Sequence, residues 1–100
     1  RAKKLYARMV EANPNNATFL DTHGWVLFQN GEYQEALRFL EKAAENEKSA
    51  TIIEHYADAL YKVGEKEKAL QQWKKAKALG GASGLIDKKI AEKKYYDASI

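Results

Sequence analysis

The residues that could do chemistry are few. Two histidines, His23 and His55, stand near three acids, Asp21, Glu54 and Asp58. Imidazole and carboxylate are the side chains that bind zinc or exchange protons near neutral pH. These five are spread over different segments, with no dense ligand spacing such as a paired-histidine helix motif. The reading is therefore a structural His23, hydrogen-bonded in the interior, and a surface His55, with no metal and no catalytic group. There is no cysteine, so disulfides, thiolate zinc sites and a cysteine nucleophile are excluded. Gly80-Gly81-Ala82-Ser83-Gly84 precedes a helical stretch, but it lacks the Gly-Lys-Ser/Thr of a phosphate loop and a preceding strand. It reads as one helix stopping and another starting. No cofactor is expected.

Charge offers a second kind of chemistry. The net charge is +3 over 100 residues. Residues 1–50 carry seven basic and seven acidic side chains, whereas residues 51–100 carry ten lysines against seven acids. Lys74, Lys75, Lys77, Lys88, Lys89, Lys93 and Lys94 could face nucleic acid or an anionic membrane. Asp87 and Glu92 interrupt them and no arginine helps, so a solvated helix face is the preferred reading. The basic surface is kept as an alternative.

The elements that must position these residues are helices. Ala, Glu, Lys and Leu dominate, and the chain has one proline and six glycines, which favours helix over sheet or disorder. Apolar residues three and four apart predict helices at about 2–12, 17–30, 33–46, 50–63, 66–79 and 84–96. Asn16 and Ser49 are suited to cap the second and fourth. Asn13-Pro14 closes the first, and Gly31, Gly64 and Gly80-Gly81 close three others. No apolar run approaches the roughly 18 residues of a membrane span. The chain opens RAKK with no leader pattern, and is expected to be a piece of a longer protein.

The stretch Trp25–Lys42 then returns as Asp58–Lys75. Gly64 follows Gly31 by 33 residues, and at that shift Thr18 meets Thr51, Leu27 meets Leu60, and Ala36-Leu37 meets Ala69-Leu70. Leu40 meets Trp73 and Ala43 meets Ala76. A helical hairpin repeated at a fixed period is the sign of a stacked array.

Leu20, His23-Gly24, Leu27, Gly31, Ala36, Leu40 and Ala43, with their second copies Ile53, Tyr56-Ala57, Leu60, Gly64, Ala69, Trp73 and Ala76, resemble the tetratricopeptide (TPR) repeat pattern. His23 departs from the usual Leu, and Leu20 and Ile53 from the usual Trp. The resemblance implies an all-α fold, a right-handed α-solenoid of antiparallel hairpins with about six helices. Residues 1–14 would be the second helix of a truncated repeat, 15–48 and 49–81 two repeats, and 82–100 a capping helix. Leu5, Tyr6, Met9 and Val10 would lack a partner helix, which implies self-association through that N-terminal face. Tyr95-Tyr96 would pack back on the last hairpin.

In that family the first helix of each repeat lines a concave groove. Carried over by position, the groove holds Thr18, Asp21, Trp25, Phe28 and Gln29, then Thr51, Glu54, Asp58, Tyr61 and Lys62. Trp25 lies off the inward stripe and either serves a ligand or packs on the neighbouring repeat. The resemblance implies a non-catalytic scaffold that binds a protein or peptide, with an excess of acids favouring an apolar segment with a basic residue. Asp21 and Trp25 occupy places where a chaperone-tail carboxylate clamp would carry Lys and Asn, so no such clamp is expected.

Overall fold

The computed structural model describes residues 2–95, and for residues 2, 3 and 6 the backbone alone. The Tyr6 side chain and Tyr96, which figure in the expectations above, lie outside that description. Among the described residues six helices run in order: α1 Ala2–Ala12, α2 Ala17–Gln29, α3 Tyr33–Asn46, α4 Ala50–Lys62, α5 Lys66–Leu79 and α6 Ile86–Glu92. Among the described residues there is no strand, and no helix is long and apolar enough to cross a membrane.

Local chemistry sets the boundaries. The Asn16 side chain accepts a hydrogen bond from the Phe19 amide at 3.1 Å, and Ser49 Oγ accepts one from the Ile52 amide at 3.4 Å. Each satisfies a donor that the first helical turn leaves without a partner. Gly31 and Gly64 take φ values of 82° and 96° at the two hairpin turns, a region that a side chain disfavours.

Each hairpin closes over small residues. Ala36, Ala43, Ala57, Ala69 and Ala76 have no exposed surface. Gly24 is the tightest point: a Cβ there would stand 2.8 Å from Leu40 Cγ and 2.9 Å from its Cδ2. Leu40 and Trp73, at matching places in the two hairpins, are the large side chains that fill the space so left. The hairpins stack through α3 and α4, and α2 touches α4 more extensively than α3 touches α5. The first helices therefore form the inner side of the curve. The stack measures 38 × 24 × 22 Å.

The array departs from expectation at both ends. Val10 is buried beside Ala17, Leu20, Ala43 and Ile52, because α1 packs its stripe on α2. Leu5 alone of the described stripe is a strongly exposed large apolar residue, at 58%. At the other end α6 is seven residues long instead of thirteen. Lys93 adopts a left-handed conformation, φ 55°, which stops the helix.

Gly24→Val would force a branched side chain into the volume of fully buried Leu40. The expected outcome is a loss of about 1–3 kcal/mol in urea unfolding. An unchanged midpoint would show that the α2–α3 contact has slack.

Candidate functional site

The ten groove positions divide by their place along the helix. Thr18 and Gln29 near the ends of α2, and Thr51 and Lys62 at the matching places of α4, are exposed. The positions between them serve the next helix. Asp21 Oδ1 lies 2.8 Å from His55 Nδ1, and the Trp25 indole stacks on the His55 ring at 3.9 Å with 16° between planes. Trp25 also stacks on Phe28 at 4.5 Å. Trp25 is half-buried and packs on the neighbouring hairpin. His55 is thus no free surface histidine: the α2 acid and indole, four residues apart on one helix face, hold it from two sides. His23 is buried, with its ring edge-on to Phe39 at 4.5 Å.

The same arrangement recurs one step along, with different chemistry. Glu54 and Asp58 stand 33 residues after Asp21 and Trp25, and between them lies Lys89 of α6. Lys89 Nζ donates to Glu54 Oε2 at 2.7 Å and to Asp58 Oδ1 and Oδ2 at 3.0 and 3.2 Å. Trp73 Nε1 donates to Asp58 Oδ1 at 2.9 Å. The Ser83 amide donates to Glu54 Oε1 at 2.8 Å, and its hydroxyl to Glu54 Oε2. Exposure is 4% for Glu54, 2% for Asp58 and 3% for Lys89. Each group is buried, and each has charged or polar partners, as a buried charge requires.

Three of the expected groove residues are therefore closed off. Glu54 and Asp58 are covered by α6. Phe28 is buried too, at 5% exposure, because Trp25, Tyr33 and Tyr95 surround its ring, Tyr95 edge-on at 5.4 Å. Tyr95 packs on the last hairpin, as expected, and reaches on to the first. Lys62 Nζ lies 5.1 Å and Lys89 Nζ 5.3 Å from its ring centroid, within cation–π range. Tyr61 is half-buried, its ring tilted against Trp73 at 5.9 Å.

The basic surface is smaller than the lysine count suggests. Lys89 is interior, and Lys77 pairs with Asp87. Sequence reasoning put Lys89 on the wet face. Its spacing held the signal that it was not: Ile86, Lys89 and Ile90 lie three and four apart on one stripe.

One ammonium serving two carboxylates splits their ionisation. Burial pushes the Asp58 carboxyl up to about 6, against the pull of the Lys89 ammonium and the Trp73 indole, with the Glu54 charge adding to the rise. Burial acts upward on Glu54 as well, but its hydrogen bonds from Lys89 and Ser83 outweigh that and hold it below the ordinary glutamate value. Among the described residues no group of three or more His, Asp and Glu is placed to hold a metal.

The sign of the pH response follows. A raised carboxyl pKa means that folded Asp58 holds its proton more tightly than the unfolded chain does. The stability this gives is complete below about 4 and is lost as pH rises through about 6. Glu54 has the opposite sign, its contribution being lost as pH falls through its lowered value. Asp58→Asn removes the first effect alone. The unfolding free energy of the wild type relative to Asp58→Asn should fall by on the order of 2–3 kcal/mol between about pH 4 and pH 7. A pH-independent difference in urea melts would show that Lys89 keeps Asp58 ionised throughout.

The structure of MamA shares this fold, with a TM-score of 0.84 and 24% sequence identity over 92% of this chain. The chain spans about half of MamA, 54% of its length. No curated protein matches the chain. The family model described as anaphase-promoting complex, cyclosome, subunit 3 matches residues 1–76. With its repeated hairpins and small-residue contacts, the chain belongs to that family, a TPR-type repeat family that is typically a non-catalytic interaction module.

Proposed function

We propose that this stretch of chain is a non-catalytic adaptor that holds a peptide or protein segment on the face built by α2 and α4. The observation that supports it is the division along those helices. The middle positions, Asp21 and Trp25 or Glu54 and Asp58, are engaged by the next helix. The outer positions, Thr18 and Gln29 or Thr51 and Lys62, recur in both hairpins and stay exposed. They have no part in the buried core, and they flank the half-exposed rings of Trp25 and Tyr61. Side chains exposed at matching places on one face of a stacked array suit an extended ligand that crosses successive repeats.

The aromatic rings are poor places to test this. Trp25 stacks on His55, so its removal would disturb the stack as well as any ligand. Gln29 and Lys62 are better, because both are exposed. A photocrosslinking residue placed at Gln29 or at Lys62 should capture partner protein. The same residue at Lys42 or Lys75, exposed on the second helices, should not. Equal capture from both faces would remove the groove from consideration. Thr18→Arg with Thr51→Arg, at exposed positions outside the core, should repel a basic segment and lower capture at least several-fold without moving the thermal midpoint.

A further inference from the structure

The groove already holds a segment of this chain, and that segment states what the groove accepts. From Ser83 onward the chain crosses the faces of α4 and α2. Its Ser83 binds Glu54, Lys89 sits between Glu54 and Asp58, and Tyr95, six residues later, lies on Phe28 under the Lys62 ammonium. The left-handed Lys93 turns the chain between these two anchors.

The hold on this segment is local and combines the ion cluster with a small apolar contact, Ile86 in the core and Ala82, Ile90 and Tyr95 packed partly on it. Of the seven residues of α6, Ile86 and Lys89 are the buried ones. The attraction of a buried ion cluster is largely offset by the cost of taking its charges out of water. The tether is Gly80-Gly81, both at positive φ with open space around them. If α6 leaves, Glu54 and Asp58 return to water as a pair of acids on the inner face, able to take another cation.

We infer that Glu54, Asp58 and Trp73 on one side and Phe28 and Lys62 on the other form a receptor for a segment carrying a lysine and, about six residues on, an aromatic ring. Residues 83–95 fill it in cis, and a partner segment of the same chemistry binds by displacing them. The inference rests on the groove reading above and adds the chemistry of the partner and the competition it must win. Two carboxylates around one ammonium leave the receptor with an excess of negative charge, which selects for a cationic anchor. Occupancy in cis weakens a partner's apparent affinity in proportion to the small fraction of open chains.

The probe is a fluorescein-labelled peptide of residues 82–95, titrated by anisotropy into the full chain and into its Lys89→Ala/Tyr95→Ala variant. The variant should bind at least tenfold more tightly than the wild type. Peptides carrying Lys89→Met or Tyr95→Ala should lose at least tenfold. The Trp73 indole Nε1 proton resonance, which reports the Asp58 contact, should shift in the variant and return when peptide is added. Binding to the variant no tighter than to the wild type, with native helix content by circular dichroism, would overturn the inference.

If the variant fails to fold, the wild-type chain decides. Excess unlabelled peptide should accelerate hydrogen exchange of the α6 amides and leave α4 and α5 unchanged, whereas no acceleration counts against competition. A dimer that exchanges α6 between copies and resists the peptide also overturns it, because the occupant would then be a second copy. Failure of the peptide with crosslinking from Gln29 and Lys62 intact removes this inference alone. Loss of that crosslinking removes the groove reading itself.

Discussion

The Lys89 ammonium, enclosed by the Glu54 and Asp58 carboxylates, decides how the last helix sits. The apolar part of α6 is short, and a contact built on Ile86 and Ile90 alone could slide along α5 with little penalty. An ammonium that must reach both carboxylates cannot slide. A shift of one residue would leave three buried charges without partners, at a cost of several kcal/mol. The ion cluster contributes less to net stability than to the choice of one register. Trp73 belongs to the same constraint. Its indole N–H occupies an Asp58 oxygen, so the largest core side chain of the second hairpin is tied to the position of the last helix.

That cluster is the second instance of a rule already present between the two hairpins. Asp21 holds His55 across 34 residues with Trp25 stacked on the same ring, and Glu54 holds Lys89 across 35. In each case two side chains four apart on a first helix take one basic side chain from the helix stacked on it. The geometry is common to both and the chemistry is not. An indole face and a carboxylate suit an imidazole, which can stack and donate a hydrogen bond. Two carboxylates suit an ammonium. α6 thus stands where a further first helix would stand, and carries the side chain that such a helix would need.

The hairpins were legible in the sequence because their signals are local and doubled. Gly31 and Gly64 need positive φ, Gly24 and the buried alanines need close approach, and each requirement appears twice at one spacing. The matching positions along α2 and α4 were legible, since they follow from the repeat. Which of them stay open was not, because that depends on residues 82–95, which repeat nothing. Lys89 looked solvated within a lysine-rich run, although its register with Ile86 and Ile90 placed it inward. The length of α6 was overread because Lys93 and Lys94 favour helix, and no local pattern announces a left-handed lysine. The path of Tyr95 to Phe28 joins residues from opposite ends of the stack, a contact that no helical period encodes.

The same surfaces therefore face two demands. A first helix must offer side chains that seize the next helix, or the stack does not form. A scaffold must offer side chains that seize a partner, or it holds nothing. Along α2 and α4 these demands are separated by position, with stacking at the centre and exposure at the ends. At α4 the separation breaks down, because its central acids are met by a seven-residue helix held through charge. A stacking contact with a small apolar part, joined by a glycine tether, is of the kind that opens locally before its neighbours unfold. What closes the array at that place is an ion cluster, where between the hairpins it is a stacked ring and a single carboxylate.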